Sequence, residues 1–432
     1  MSAATHLRRR DENAEIIIIE RSNEFAVAAC GLPYLLAGKI KDKDDIIGAS
    51  VAQMQQIFKV DVRLNTEVLT INPHDKQLNL SGNQTLDYDQ LIIAAGGLQL
   101  RPDIPGILAD NIFTMHSLYS TQKIIDYFWG LNAKRVLILG GGKIGLRAAQ
   151  ALLENQAKVT LVDNASHILS DLDYDFALMV QQKLEQKGLT ILTNTSVKEF
   201  LPDKAVLSNG TKIKYDIAII ATGNKSEVRL PIMTDIEIGE TGGIIVNNYM
   251  QTSIDDILAC GDNIQVDDLI TNMPIRISNA SLAVRSAKIA ADNAVGIQSR
   301  LGAVLKNQVL KVFDYVIGAA GCNEDDLKKA GIPYHKLYFA MENGESYVET
   351  SQKMRFKLLF GLDGKILGFQ AMGKEGIFGR LNVVAAIMNH QGSVQELAEM
   401  PIAYFPELSR AKDALNDLSL IHISEPTRQA EI

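Results

Sequence analysis

The feature that most restricts the fold of this chain is a glycine-rich turn between an apolar strand and a helix. The segment "KRVLILGGGKIGLRAAQALLENQAKVTLVD" begins at Lys134 and places Gly140, Gly142 and Gly145 in the spacing G-x-G-x-x-G. Glycines at this spacing permit a tight turn, close approach of a pyrophosphate and close packing of helix on strand. A second strand leads to Asp163, whose carboxylate can accept hydrogen bonds from ribose hydroxyls and would repel a 2′-phosphate. The pattern predicts a Rossmann unit that binds NADH in preference to NADPH.

The first twenty residues predict the second half of another such unit. A short helix leads into the apolar strand 16–19, which stops at Glu20. The strand and glycine loop that should precede that helix are not in the sequence. We therefore expect Met1 to be an internal methionine, and this unit to bind its dinucleotide weakly because a central strand is missing.

Three further strands close in turns of small residues. Residues 86–97 ("LDYDQLIIAAGG") and 213–224 ("IKYDIAIIATGN") are near-copies, and each would return the chain from a dinucleotide-binding unit. Residues 255–263 ("DDILACGDN") are a third such strand, with Asp262 just past its carboxyl end, where ligands of open α/β sheets bind. The small residues of the three turns include Ala95, Gly96, Gly223 and Gly261.

Length and charge exclude several classes of function. A chain of 432 residues is long enough for two or three domains. Acidic residues outnumber basic ones by 51 to 43, and the net charge of −8 would repel nucleic acid and anionic membranes. The basic cluster at residues 8–10 is interpreted as a solvated helix face. The sequence has no apolar run of about 18 residues, so we expect a cytoplasmic protein.

Cys30 is the candidate redox centre. The segment "FAVAACGLPYLLAG" places Cys30 ahead of a predicted short helix, and a thiol at a helix N-terminus ionises readily to the nucleophilic thiolate. The alternative is an inert core cysteine. Cys260 ends an apolar strand and Cys322 stands beside a glycine, so both are interpreted as bystanders. Because no second cysteine lies within a few residues of Cys30, it would react with an external thiol.

These elements resemble, in their order along residues 1–417, the pyridine nucleotide-disulfide oxidoreductases. The run Cys30-Gly31-Leu32-Pro33-Tyr34 is typical of the single-cysteine branch, which contains coenzyme A-disulfide reductases, NADH oxidases, NADH peroxidases and persulfide reductases. The resemblance implies an α/β fold with two Rossmann-like dinucleotide-binding domains, for FAD and NAD, and a C-terminal α+β dimerisation domain. The implied domains are 1–117 and 247–304 for FAD, 118–246 for NAD and 305–417 for dimerisation.

The resemblance also assigns roles to residues. Glu20 would bind the adenosine ribose of FAD and Asp262 its ribityl chain, and Cys30 would lie against the flavin. Tyr404, in "IAYFPELSRAKDALN", would reach the partner's active site in a homodimer, with a core tyrosine as the alternative, and Tyr347 is a weaker candidate for a second catalytic tyrosine. The other implied cofactor-binding residues are Arg21, Ala95, Gly96, Gly223 and Gly261 for the two cofactors, and Gly140, Gly142, Gly145 and Asp163 for NADH.

Three functions remain open. The N-terminal residues and the cysteine motif are most similar to coenzyme A-disulfide and persulfide reductases, in which electrons pass from NADH through FAD to a small disulfide or persulfide. The alternative is an NADH oxidase or peroxidase, in which Cys30 cycles through a sulfenic acid. Lys143, Arg147, Ala29 and Glu407 depart from the usual family residues. The positive charge that Lys143 and Arg147 add near the nucleotide favours a third function, a non-catalytic flavin-binding redox sensor.

The last residues, 418–432 ("LSLIHISEPTRQAEI"), do not continue the C-terminal helix of the family. They resemble the translation of a sequencing adapter. We therefore expect a non-native tail that lies outside the fold.

Overall fold

The structure is a computed structural model that describes residues 1–424. Its helices are α1 (Ser2–Arg10), α2 (Leu32–Leu36), α3 (Val51–Phe58), α4 (Leu118–Gly130), α5 (Lys143–Glu154), α6 (Tyr174–Glu185), α7 (Arg229–Met233), α8 (Ala280–Ala294), α9 (Glu324–Lys329), α10 (Ile377–Asn389), α11 (Val394–Glu399) and α12 (Ala414–Ser424). The strands are β1 (Ile16–Ile19), β2 (Val60–Arg63), β3 (Val68–Asn72), β4 (Gln77–Leu80), β5 (Gln84–Asp87), β6 (Leu91–Ile93), β7 (Gly97–Gln99), β8 (Ile112–Thr114), β9 (Arg135–Leu139), β10 (Lys158–Val162), β11 (Thr190–Leu192), β12 (Val197–Leu201), β13 (Lys204–Leu207), β14 (Lys212–Lys214), β15 (Ile217–Ile220), β16 (Asn224–Ser226), β17 (Ile244–Ile245), β18 (Ile257–Ala259), β19 (Ile264–Asp267), β20 (Pro274–Ile275), β21 (Asn307–Val312), β22 (Tyr315–Gly321), β23 (Tyr334–Glu342), β24 (Lys353–Gly361) and β25 (Ile366–Gly373).

The unit around the glycine turn is a parallel sheet with strand order β11-β10-β9-β15-β8. Strand β15 reads as a continuous apolar run because both of its faces are covered, and all four of its residues are buried. Helix α5 packs on the sheet through Leu146, Ala149 and Leu152, which are fully buried. The predicted Rossmann unit is confirmed.

Two short edge strands pair with strands on the other side of a predicted domain boundary. Strand β8 falls within the predicted first domain, 1–117, but pairs in parallel with β15. Strand β17 falls within the predicted range 118–246 but pairs with β19. Strands of two or three residues carry no pattern that reveals their partners in the sequence.

Among the strands of the first and third predicted segments are two parallel pairs, β1 with β2 and β6 with β18. The second pair joins the segments 1–117 and 247–304, with Leu91 beside Ile257. Helix α1 packs against α8, where Arg10 and His6 each lie 2.8 Å from a carboxylate oxygen of Asp292. These contacts fix the N-terminal helix on the same unit.

Arg8 corrects the interpretation of residues 8–10 as a solvated face. Its guanidinium donates to the backbone carbonyls of Phe58 (2.8 Å) and Lys59 (3.0 Å), which end α3. It also donates to the carbonyl of Ala14 (2.7 Å), just before β1. Arg8 therefore has a structural role, because it satisfies carbonyls that the end of a helix leaves unpaired.

The C-terminal domain is an antiparallel sheet with strand order β21-β22-β25-β24-β23. Helices α10, α11 and α12 share its apolar core. Helix α12 continues through Leu418 and Ser419, which are fully buried, so the fold does not stop at 417 as predicted. The reason is that Leu418 is apolar and packs into this core. Residues 425–432 of the predicted tail lie outside the described residues.

The α/β class, with its nucleotide-binding units and C-terminal sheet domain, is confirmed. Within residues 1–424, no helix has the length and apolar character needed to cross a membrane.

Candidate active site

Two of the three motif glycines stand where there is no room for a side chain. A Cβ on Gly145 would lie 2.0 Å from the carbonyl oxygen of Gly140, and a Cβ on Gly140 would lie 2.3 Å from that of Ala221. Gly142, the N-cap of α5, is different, because a Cβ there would meet no atom within 4 Å. Gly142 therefore leaves open the approach to the helix N-terminus, where a pyrophosphate is favoured by free N–H groups and the helix dipole.

Asp163 follows β10 and contacts this loop. Its Oδ2 accepts a hydrogen bond from the N–H of Gly141 (2.6 Å), and its Oδ1 accepts one from the N–H of Ala165 (2.8 Å). These two bonds fix the orientation of the carboxylate. A carboxylate has about four acceptor positions, so it can also accept from ribose hydroxyls.

Two cations on α5 connect the glycine loop with other elements. Lys143 contacts the amide oxygen of Gln308 and lies 3.6 Å from a carboxylate oxygen of Asp171. One turn later, the guanidinium of Arg147 lies 4.5 Å from the ring centroid of Tyr34. Arg147 therefore joins the helix of the glycine loop to α2, the helix that follows Cys30.

Cys30 is exposed and lies in the 3₁₀ turn Ala29–Gly31, directly before α2. The N–H of Ala28 donates to the carbonyl of Ile46 (2.8 Å), which ties this turn to a neighbouring segment. A Cβ on Gly31 would lie 2.5 Å from Cγ2 of Ile46, so the close approach requires glycine after the cysteine. The thiol is thus held in a fixed turn and is open to a reagent from solvent.

Cys260 and Cys322 are each 2% exposed. Burial raises the pKa of Cys260 to about 12. Burial and the nearby carboxylate of Asp268 raise the pKa of Cys322 far above its usual range. Both thiols stay protonated and enclosed, which agrees with their interpretation as bystanders.

The two near-copied turns lie side by side. Strands β7 and β16, which follow them, pair in antiparallel fashion. The N–H of Leu100 donates to the carbonyl of Gly223 (2.9 Å), and the N–H of Glu227 donates to the carbonyl of Gly96 (3.0 Å), the residue after Ala95. The ends of β6 and β15 are therefore joined at one edge.

Glu227 links this edge to the end of β1. One of its carboxylate oxygens lies 3.3 Å from the guanidinium of Arg21. The preceding Glu20 accepts hydrogen bonds through Oε1 from the N–H (2.8 Å) and the hydroxyl (2.7 Å) of Ser22. Sequence reasoning missed Glu227, and its place just beyond the copied turn at Gly223 was the available signal.

Asp262 lies in the turn Gly261–Asn263, after β18. Burial raises its pKa, while a hydrogen bond from Ser278 and the charge of Arg276 act in the opposite direction. The next residue, Asn263, is fully buried, and within the described part of the chain neither polar atom of its amide has a hydrogen-bond partner. Unsatisfied buried amides are rare, and a ligand with hydroxyl and carbonyl groups would satisfy this one. Asp262 and Asn263 therefore fit the hydroxyl-rich ribityl chain of FAD.

Tyr404 and Tyr347 lie at the surface, with exposed fractions of 50% and 70%. The alternative of a core tyrosine at Tyr404 is therefore wrong. The segments that carry the two residues are joined by a hydrogen bond from the N–H of Glu345 to the carbonyl of Pro406 (2.8 Å). Within a single chain, the two tyrosines are available to a second molecule.

Comparisons with known proteins agree with this geometry. Residues 1–291 match the family described as pyridine nucleotide-disulphide oxidoreductase, and residues 308–415 match the dimerisation domain of that family. An NADH oxidase of Methanocaldococcus jannaschii is 29% identical over 97% of this chain and 97% of its own length. A coenzyme A disulfide reductase of Staphylococcus epidermidis is 26% identical over 96% of this chain and 95% of its own. The structure of an NAD-dependent persulfide reductase from A. fulgidus superposes with a TM-score of 0.96 at 28% identity, over 98% of this chain and 81% of the other.

Proposed function

The chain belongs to the pyridine nucleotide-disulphide oxidoreductase family, and we propose that it reduces a small disulfide or persulfide of the coenzyme A type. The relatives described above are flavin-dependent NAD(P)H oxidoreductases. The observation that carries this proposal is the exposed thiol of Cys30, in a fixed turn before α2, while the other two thiols are buried. The named activities of the relatives from Staphylococcus epidermidis and A. fulgidus support the same substrate class.

FAD, when bound, would supply two-electron transfer between nicotinamide and sulfur. In the proposal, Glu20 and Arg21 hold its adenosine end and Asp262 holds its ribityl chain. The turns that contain Ala95, Gly96, Gly223 and Gly261 line the same edge.

NADH is the proposed reductant. Gly140, Gly142 and Gly145 form its pyrophosphate site at the N-terminus of α5. The carboxylate of Asp163, held by the N–H groups of Gly141 and Ala165, accepts from the ribose hydroxyls and repels a 2′-phosphate. NADPH is therefore the poorer substrate.

Cys30 carries the sulfur chemistry in the proposal. Its thiolate attacks one sulfur of the substrate, the S–S bond breaks, the first thiolate leaves, and a mixed disulfide forms on Cys30. Two electrons that originate from NADH then break the mixed disulfide, which releases the second thiolate and restores the thiolate of Cys30. The two released thiolates take up two protons, one that NADH supplies with its hydride and one from the medium. NADH thereby becomes NAD⁺.

We further propose that two copies of the chain associate, since residues 308–415 match a dimerisation domain. Tyr404 of each copy would contact the active site of the other, and Tyr347 would assist it. The neighbouring Phe405 and Leu408 are 56% and 67% exposed and add apolar surface for association. The negative net charge supports a small-molecule partner and not nucleic acid, and reduced, unpaired cysteines support a cytoplasmic location.

Replacing the redox cysteine tests the proposal. Cys30→Ser should reduce turnover of coenzyme A disulfide to background, while NADH still bleaches the flavin in a single turnover. Cys322→Ser, in which a buried bystander is changed, should keep turnover. Full activity of Cys30→Ser would show that the assignment is wrong, and slow bleaching of the unmodified protein would favour the redox sensor.

NADH oxidase or peroxidase activity is the second candidate, because the relative from Methanocaldococcus jannaschii is named NADH oxidase. The thiolate of the exposed Cys30 could also attack peroxide, which breaks the O–O bond and gives a sulfenic acid and hydroxide, and oxygen would first take two electrons from NADH to become peroxide. Oxygen consumption, peroxide consumption and disulfide reduction, each measured with NADH in one preparation, discriminate the candidates. A kcat/KM for oxygen or peroxide above that for coenzyme A disulfide would establish the second candidate.

A further inference from the structure

Lys357 is a fully buried cation between the nucleotide-binding unit and the C-terminal domain. It lies on β24, and its Nζ is 2.7 Å from a carboxylate oxygen of Asp173 and 2.9 Å from one of Asp175, at the start of α6. It also contacts the carboxylate of Glu324, at the start of α9. Burial alone would lower the pKa of Lys357, but its bonds to Asp173, Glu324 and Asp175 outweigh burial and raise it. The side chain is therefore charged and is shared by three carboxylates.

Asp173 ends the segment that covers the glycine loop. This segment, residues 164–173, follows Asp163 and is called the covering loop below. The N–H of Leu169 donates to the carbonyl of Gly141 (3.0 Å), and Ile168 packs so closely that a Cβ on Gly141 would lie 2.6 Å from its Cγ2. A shift of the covering loop would therefore move Gly141, whose N–H orients the carboxylate of Asp163.

The covering loop is fixed to the C-terminal domain at several points. The N–H of Asp173 donates to Oε1 of Gln370 (3.0 Å), and the amide nitrogen of Gln370 donates to Oδ2 of Asp173 (2.8 Å). The N–H of Glu324 donates to the other carboxylate oxygen of Asp173 (2.7 Å). Three residues earlier in the loop, the carbonyl of Ser170 accepts a hydrogen bond from Nδ2 of Asn323 (3.2 Å).

Among the residues of the C-terminal domain that hold the covering loop, Lys357 is the one whose loss should displace the loop most. Gln370 stands opposite Lys357 on the neighbouring strand, so both approach Asp173 from one place on the sheet. Without the ammonium group, three carboxylates would face one another with no buried cation between them. Like charges in a buried site repel strongly, so the end of the covering loop would move away from the sheet.

We propose that Lys357 is a positioning residue for the nicotinamide nucleotide: through Asp173 it holds the covering loop on Gly141, and so sets the geometry of the glycine loop and Asp163. This inference rests on the proposed NADH site. It adds that the C-terminal domain influences the affinity for the nucleotide, although none of its residues is proposed to contact the nucleotide. Loosening the covering loop should weaken nucleotide binding more than it slows the chemistry that follows.

The test compares Lys357→Met with Lys336→Met in the flavin-loaded enzyme. Lys336 lies 3.2 Å from the same Glu324 but is 47% exposed, so it is the matched control for loss of one positive charge. Lys357→Met should raise the KM for NADH and the calorimetric Kd for ADP-ribose at least about tenfold, with kcat at saturating NADH within about threefold and flavin content unchanged. Lys336→Met should stay within about twofold of the unmodified enzyme in both constants. The tenfold, threefold and twofold limits all correspond to free-energy changes no larger than the loss expected when one buried ion pair is broken.

Two further variants separate the possible failures. Gly142→Asp places a negative charge at the proposed pyrophosphate position and should abolish binding of ADP-ribose. If Gly142→Asp loses binding while Lys357→Met keeps unmodified affinity, the role of Lys357 is overturned and the nucleotide site stands. If Gly142→Asp keeps unmodified affinity, the proposed nucleotide site itself is wrong.

If Lys357→Met fails to fold, the double variant Asn323→Ala with Tyr338→Phe replaces it. Asn323 bonds to the carbonyl of Ser170, and the hydroxyl of Tyr338 bonds to Asp175, so both outer contacts are lost while Lys357 stays. An increase of about threefold or more in the Kd for ADP-ribose supports the proposal, and an unchanged Kd overturns it.

Discussion

The hydroxyl oxygens of Tyr347 and Tyr404 lie 3.5 Å apart, although 57 positions separate the two residues in the chain. The hydrogen bond with Tyr347, together with desolvation and the nearby carboxylate of Glu345, raises the pKa of Tyr404 to about 12. Like a tyrosine with the ordinary pKa, Tyr404 is protonated at neutral pH, and its hydroxyl carries a proton that it can donate. In the proposed dimer this proton would go to a thiolate that leaves during disulfide reduction.

Removal of Tyr347 should make Tyr404 more acidic. In Tyr347→Phe the pKa of Tyr404 should fall from about 12 toward 10, the usual value of the side chain, because the largest cause of the raised pKa is lost while desolvation and Glu345 remain. The measurement is an alkaline titration of phenolate absorbance, with Tyr347→Phe/Tyr404→Phe subtracted to isolate Tyr404. A difference signal that still titrates near 12 would contradict the assigned cause.

The activity of Tyr404→Phe tests its proposed catalytic role. Loss of a proton donor should lower kcat for disulfide reduction by about 10²-fold, while reduction of the flavin by NADH is unchanged. Tyr347→Phe should have a smaller effect, because Tyr404 remains. Unchanged kcat in Tyr404→Phe would assign this surface tyrosine to association of subunits alone.

Nucleotide preference should depend on the charge of Asp163. The unmodified enzyme should have a higher kcat/KM for NADH than for NADPH. Asp163→Ala should lower the ratio of these two kcat/KM values by about tenfold, which corresponds to the free energy of one hydrogen bond to a charged group. Asp163→Asn is the matched control, since it keeps an acceptor oxygen without the charge. If Asn narrows the ratio as much as Ala does, repulsion of the 2′-phosphate is the main cause. A native preference for NADPH would instead point to Lys143 or Arg147 as a phosphate contact.

Replacement of Gly145 should lower the stability of the fold, whereas replacement of Gly142 should weaken nucleotide binding. Gly145→Ala should lower the free energy of unfolding by about 1–3 kcal/mol, because the new Cβ would lie 2.0 Å from the carbonyl oxygen of Gly140. Gly142→Asp should leave the Tm nearly unchanged, since a Cβ there meets open space and Asp is a favourable N-cap. It should nevertheless raise the KM for NADH at least about tenfold by repelling the pyrophosphate. Thermal melting and steady-state kinetics on both variants test this contrast.

The sequence was sufficient for the parts of the fold that local sterics determine. Gly140 and Gly145 are required by contacts with carbonyls, and Gly31 by its contact with Ile46, so these positions could be identified without coordinates. Strand β15 was recognised for a similar reason, since a strand covered on both faces must be apolar along its whole length. The motif residues themselves carry these signals, although the contacts that require Gly140 and Gly31 are made with the more distant Ala221 and Ile46.

The sequence was insufficient where side chains meet across domains. In "KMRFKLLFG", Lys357 looks like an ordinary polar residue of an alternating strand, yet it is fully buried. Its carboxylate partners lie 33 to 184 positions away, and nothing near Lys357 in the chain indicates them. Glu227 presents the same difficulty, because its contact with Arg21 joins residues 206 positions apart.

The last prediction concerns Glu324 and acid stability. Burial would raise the pKa of Glu324, but its hydrogen bonds with Lys357 and Tyr334 and the charge of Lys357 lower it from 4.5 to about 2. A carboxylate whose pKa is lower in the folded than in the unfolded state stabilises the fold above the unfolded value, and this stabilisation is lost as pH falls toward the folded value. Glu324→Gln should therefore be less stable than the unmodified protein at pH 7, by about 1–3 kcal/mol.

That difference should shrink as pH falls below about 4.5 toward about 2, because the unfolded carboxyl then binds its proton before the folded one does. Thermal melting of both proteins at pH 7 and at several lower values gives the measurement. Glu12→Gln, a change at an exposed glutamate, is the control and should show no such trend. A difference between Glu324→Gln and the unmodified protein that is constant with pH, or that widens on acidification, would show that Lys357 does not hold the Glu324 carboxylate in its charged form.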